Sequence, residues 1–142
     1  MKVSVILPAA GLGTRMGREK SGISRKQFML LDGAPILIHT IRKFLQCNSV
    51  TEIVVALRAE DLDWARGLVL QEHPVKPVRF VEGGDSRQQS VENALATLSA
   101  ETDLVAVHDA VRPFIEPSTV EQVIAEAAVA ARPLSASFPS TP

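Results

Sequence analysis

The segment Pro8-Ala9-Ala10-Gly11-Leu12-Gly13-Thr14-Arg15-Met16 sets two glycines and a guanidinium directly after the apolar run Val3 to Leu7. Small residues at a strand end let backbone N–H groups come close to an anion, and a fixed cation then faces it, so phosphate is the ligand that this order of residues suits. The spacing matches neither of two common phosphate fingerprints. Met16 stands where a dinucleotide site needs a small residue, and no glycine is followed by Lys and then Ser or Thr as a P-loop requires. Taken alone, the segment fits a ligand-free turn as well as it fits a nucleotide site. Two later stretches share its polar or glycine-rich character: Gly83 to Ser90, and His108 to Arg112.

The elements that must position these stretches can be read from periodicity. Val3 to Leu7, Glu52 to Leu57, Val78 to Val81 and Leu104 to Val107 are short runs rich in branched apolar residues, which predicts strands. Between them, apolar residues recur at helical offsets. Leu37, Ile38, Ile41, Phe44 and Leu45 follow an Asp32-Gly33-Ala34-Pro35 turn with Pro35 near the first helical position. Leu62, Ala65, Leu68 and Val69 mark a helix over Asp61 to Leu70, weakened by Gly67. Ser86 with Gln89 opens a helix with Val91, Ala94, Leu95 and Leu98 inward, and Ser118 with Glu121 opens one with Val120, Val123, Ile124, Ala127 and Ala128 inward. Strand and helix alternate, which predicts an α/β fold: a mostly parallel sheet with helices on both faces. In such sheets ligands sit outside the carboxyl ends of the strands, and all three unusual stretches directly follow strands.

Composition narrows the partners. A chain of 142 residues, 46% hydrophobic and 22% charged, suits one domain with a real core. A net charge of -1 without a long basic run leaves no footprint for nucleic acid. Cys47 is the single cysteine and cannot form an internal disulfide. With no signal-peptide pattern after Met1-Lys2 and no run of membrane-spanning length, a soluble, cytoplasmic protein with no membrane partner is expected.

Four stretches in order, Pro8 to Met16, Arg25-Lys26-Gln27-Phe28, Gly83 to Val91 and His108 to Pro113, resemble the 2-C-methyl-D-erythritol 4-phosphate cytidylyltransferase family. The resemblance implies a Rossmann-like nucleotidyltransferase fold and transfer of CMP from CTP to that sugar-alcohol phosphate, with release of pyrophosphate, in non-mevalonate isoprenoid biosynthesis. It implies Arg15 and Lys26 as the cations beside the reacting phosphorus. Arg25 stands where the family usually has proline, and Lys20 is a rival to Lys26. Backbone groups of Pro8, Ala9, Ala10, Gly11 and Gly13, with Gly84, Asp85, Arg87 and Ser90, are implied around the cytidine. Cytosine offers an amino donor where uracil has a carbonyl, so fixed main-chain acceptors discriminate between them. Asp85 and Ser86 equally suit capping of the following helix. Ala110 and Arg112 are implied beside ribose and phosphates.

Asp109 follows an apolar strand, where a carboxylate can reach Mg2+ bound to triphosphate oxygens; pairing with Arg112 to hold the turn fits it equally well. His108 has no partner at metal-site spacing and is expected to be structural. A ribitol-phosphate or other polyol-phosphate cytidylyltransferase and a non-catalytic nucleotide-binding remnant are the alternative functions.

Members of the family continue beyond the point matching Ala130 and form a homodimer. The resemblance is read to stop near residue 130, so residues 1–131 are expected to form an incomplete nucleotide-binding domain whose C-terminal part is missing. Residues 132–142 hold Pro133, Pro139 and Pro142 without strand or helix periodicity. A disordered or aberrant tail, left by a frameshift or premature stop, is expected there.

Overall fold

The computed structural model describes residues 1–10 and 29–129, and the backbone of Ser135–Ser137. Strands β1 (Val3–Pro8) and β4 (Glu52–Leu57) are buried along their whole length, as continuous apolar runs require between two helical layers. With β5 (Val78–Glu82), β6 (Leu104–Val107) and β7 (Ser135–Ser137) they form one sheet in the order β5-β4-β1-β6-β7, every pair parallel. The chain steps outward from β1 to β4 to β5, then returns to the other side of β1 with β6. That reversal between β1 and β6 is the topological switch point at which open α/β sheets bind ligands.

A second, two-stranded piece, β2 (Leu30–Leu31) and β3 (Ala34–Pro35), pairs antiparallel ahead of helix α1 (Ile36–Leu45). Asp32 at φ 52° and Gly33 at φ 85° form its two-residue turn, so the expected turn into a helix is a hairpin that places Pro35 just before the helix. Helices α2 (Leu62–Leu70), α3 (Arg87–Leu95) and α4 (Pro117–Val129) complete the described chain.

The pleat sorts the strand residues between two faces. Val3, Val5 and Leu7 of β1 face α1, α2 and α4 with Phe44, Ala65, Val120 and Ile124, whereas Ile6, Val54 and Val105 meet Ala94 of α3. Three expectations change here. Leu95 is exposed, because α3 lies on its side of the sheet through Val91 and Ala94, with Leu98 packed there beyond its end, and Ala128 is exposed on α4. Helix α4 begins two residues earlier than its capping pattern implies: Pro117 opens it, and the Glu116 carbonyl accepts the N–H groups of Thr119 at 2.9 Å and Val120 at 3.2 Å. Glu121 turns instead to the backbone N–H of Ser49, at 3.2 Å.

The tail differs as well. Ser135–Ser137, inside the stretch expected to lack strand structure, pairs parallel with Val105, Ala106 and Val107. Without it the outer side of β6 would present unpaired ladder groups, and that long-range demand has no local periodic signature.

Candidate functional site

Each of the three loops leaves the sheet through one extra ladder bond. Ala9 N–H donates to Ala56 at 2.9 Å, Gly83 N–H to Leu57 at 2.7 Å and His108 N–H to Ile6 at 3.0 Å. The loops after β1, β5 and β6 therefore start from one edge of the sheet, the carboxyl edge.

Two of them touch. A methyl group built on Gly83 would lie 2.5 Å from Ala10 Cβ and 2.7 Å from Ser90 Oγ, so only glycine allows this approach. Ser90 is fully buried, and its hydroxyl accepts the Gly84 N–H at 3.0 Å. Ser86 caps α3 by accepting the Gln89 N–H at 3.1 Å, while Asp85, one residue earlier, is exposed. Gln89 does not complete a reciprocal box; its amide donates to Asn93 at 2.9 Å, and Asn93 donates to the Glu82 carbonyl at 3.1 Å. Arg87, the first residue of α3, is exposed.

The third loop is braced from inside. Asp109 Oδ1 accepts the Val111 N–H at 3.1 Å, Oδ2 lies 3.6 Å from Arg112 Nε, and the Asp109 carbonyl accepts the Arg112 N–H at 3.2 Å. Of the two readings of Asp109, the turn-holding pair is thus present. His108 is buried, and its Nε2 faces the Arg112 carbonyl at 2.9 Å; a carbonyl only accepts, so Nε2 carries the proton. Burial lowers the His108 pKa from 6.5, against the raising effects of that bond and of Asp109; the charges of Arg112 and Arg87 lower it further.

Pro8, Ala9, Ala10, Gly84, Asp85, Arg87, Ser90, Asp109, Ala110 and Arg112 accordingly all stand on the carboxyl side of the sheet. Gly11, Gly13, Arg15, Lys20 and Lys26 lie outside the described residues. Among the described residues no group of three or more His, Cys, Asp and Glu could hold a metal ion, and no helix is long and apolar enough to cross a membrane. Burial pushes the Cys47 thiol up to about 11, helped by the charge of Glu121, which removes it as a nucleophile at neutral pH. Thr40 escaped the sequence reading. Its signal was a hydroxyl on the apolar stripe of Leu37, Ile41 and Phe44, and its hydroxyl meets the Ala110 carbonyl at 2.8 Å.

The family model for 2-C-methyl-D-erythritol 4-phosphate cytidylyltransferase matches residues 3–139. The chain belongs to this family. The match passes residue 130, where the sequence resemblance was read to stop, and takes in β7. A family relative from Solibacter usitatus is 63% identical over 131 residues, covering 90% of this chain and 54% of its own. One from Acidobacterium capsulatum is 48% identical over 126 residues, covering 87% and 53%. The crystal structure of 4-diphosphocytidyl-2C-methyl-D-erythritol synthase from Anaerococcus prevotii superposes with a TM-score of 0.73 at 26% identity, over 88% of this chain and 50% of that one. The chain spans about half the length of the curated relatives it matches. The parallel sheet between helices is the Rossmann-like nucleotidyltransferase fold of the family.

Proposed function

We propose that this chain binds CTP at the carboxyl edge of its sheet and serves transfer of CMP to 2-C-methyl-D-erythritol 4-phosphate, with release of pyrophosphate. The observation that carries the reading is the close seating of Gly83 on Ala10 and Ser90, in a chain 63% identical over 131 residues to a protein named for that reaction. In this reading Pro8, Ala9, Ala10, Gly11 and Gly13 with Gly84, Asp85, Arg87 and Ser90 surround the cytidine. Ala110 and Arg112 flank ribose and phosphates, and Arg15 and Lys26 supply fixed positive charge at the α-phosphorus.

A phosphate oxygen of the acceptor attacks that phosphorus, and the bond to the bridging oxygen breaks with its electron pair leaving on pyrophosphate. Charge gathers on the non-bridging oxygens, so positioned cations lower the barrier most. Arg15 offers a fork of donors and Lys26 a point charge.

Mg2+ suits the donor set in its usual sparing form, one or two protein carboxylates with phosphates and water completing the shell. Asp109 supplies one carboxylate, and its Oδ2, 3.6 Å from Arg112 Nε, is beyond hydrogen-bond length and keeps a coordinating lone pair. Bound there, the ion would neutralise triphosphate charge. A homodimer and a cytoplasmic setting complete the proposal.

Calorimetry with CTP and UTP, followed by pyrophosphate release with methylerythritol phosphate and with ribitol phosphate, tests it. Binding that favours CTP, and release that favours methylerythritol phosphate, is the expected result. Heat with CTP and no pyrophosphate from either acceptor would remove the transfer step; no CTP heat would remove the whole reading.

A further inference from the structure

Thr40 is fully buried on α1, on the stripe that otherwise carries Leu37, Ile41 and Phe44. A buried hydroxyl is destabilising unless it is hydrogen-bonded, and a β-branched side chain brings no helix preference in exchange. Inside a helix such a hydroxyl ordinarily bonds back to the carbonyl four residues earlier. Here that contact, to Ile36, is 3.2 Å, whereas the contact to the Ala110 carbonyl, 70 residues along the chain, is 2.8 Å. A hydroxyl has one proton to donate, and the shorter contact leads out of the helix to the loop after β6.

One turn further along α1, the Phe44 ring lies against the His108 ring, centroids 5.3 Å apart and planes tilted by 58°. His108 in turn donates to the Arg112 carbonyl at 2.9 Å. One face of α1 thus bears on the loop at Ala110 directly and, through the His108 ring, on the Arg112 carbonyl. Two loop carbonyls, those of Ala110 and Arg112, are held from beneath, while the Arg112 side chain remains 49% exposed above them.

We infer that Thr40 is a positioning residue for nucleotide binding: by fixing the Ala110 carbonyl, it holds the Asp109–Arg112 loop in place against the phosphates of a nucleoside triphosphate. The inference rests on the proposed CTP site. Its test compares T40V, T40A and T40S by calorimetry with CTP, each with a melting curve, and repeats T40V in an R112A background.

Losing the hydrogen bond in T40V or T40A should weaken CTP binding about fivefold to tenfold, while T40S, which keeps the hydroxyl, stays within about twofold. Because Thr40 acts through the loop, T40V should add little once Arg112 is gone. Amide exchange at Val111 and Arg112 should quicken in T40V while β1 and β6 keep their protection. Variants that melt earlier yet bind CTP like the parent would overturn the inference, as would an undiminished T40V effect in R112A. A parent chain that takes up no CTP would overturn this inference together with the proposed function, whereas the other failures leave that function standing.

Discussion

Gly83 sits where the loops after β1 and β5 meet, and nothing larger fits. An added methyl would approach Ala10 Cβ to 2.5 Å and Ser90 Oγ to 2.7 Å, and Ala10 cannot rotate its methyl away because that carbon is fixed to the backbone. G83A must therefore part the two loops. Overpacking of this kind destabilises by roughly 1–3 kcal/mol, and if the same separation opens the nucleotide site, CTP affinity falls about tenfold to a hundredfold. Calorimetry with CTP and a melting curve on G83A check both; unchanged CTP binding would place the nucleotide elsewhere. At this scale the polar and glycine residues were legible in the sequence, since Gly83-Gly84 and Asp109 to Arg112 announce themselves by type and by following strands. Partners were not. That Gly83 needs its smallness for Ala10, or that the Thr40 hydroxyl leaves its own helix for Ala110, depends on contacts between residues far apart in the chain.

Helix α3, capped by Ser86, carries Arg87 and Ser90 toward the proposed site, yet its apolar seat is slight: Ala94 is its one buried hydrophobic residue, with Val91 partly buried and Leu98, three residues past its end, packed beside them. Polar pins hold it instead. Near its start Ser90 accepts from Gly84 and Asn93 donates to Glu82, and past its end Thr97 receives Arg79 Nη1 at 3.3 Å. Arg79 also donates to Glu52 Oε1 at 3.1 Å, and Ser4 donates to Glu52 Oε2 at 2.6 Å, so one carboxylate ties β1, β4 and β5 beneath the helix. Burial would raise the Glu52 pKa, but the bonds from Ser4 and Arg79 overcome it and hold the carboxyl below its ordinary range. E52Q cannot accept both donors equally and removes the ion pair with the partly exposed Arg79. About 2 kcal/mol of stability should be lost, read as a fall of roughly 7 °C in Tm. A Tm within a degree or so of the parent would show that the network is incidental. Elements of this kind are legible when local pattern and tertiary role agree, as for β1, β4 and α1. They fade when the decisive contact is distant: Leu95 has an inward spacing but no sheet under it, and Ser135–Ser137 becomes a strand because β6 offers an edge.

The whole molecule should lose stability toward acid in two stages, because its shifted groups, buried His108 and Glu52 and half-buried Glu72 and Glu121, titrate in two ranges. Burial lowers the His108 pKa below 6.5, so the ring stays neutral in the fold after the unfolded chain has begun to take up a proton. Over that window the unfolded state binds more protons, and stability falls as pH drops, with a slope of at most about 1.4 kcal/mol per pH unit for one proton. The carboxylates act lower down. Glu72 is held below 4.5 chiefly by its hydrogen bond from Arg42, at 2.7 Å, and Glu52 and Glu121 are lowered because donated hydrogen bonds outweigh burial. Their stabilisation is present above the ordinary carboxylate range and disappears as pH falls through their lower folded values. H108Q separates the stages, since a glutamine amide retains a donor for the Arg112 carbonyl but takes up no proton. Melting curves at about pH 7.5, 5.5 and 4 should show H108Q losing less Tm than the parent over the first step and a similar amount over the second. Equal losses over the first step would mean that the buried ring is not the source of the early acid sensitivity. The same ring braces the loop that bears Asp109 and Arg112, so a shallower first step in H108Q would tie the pH range of the fold to the element proposed to face the nucleotide.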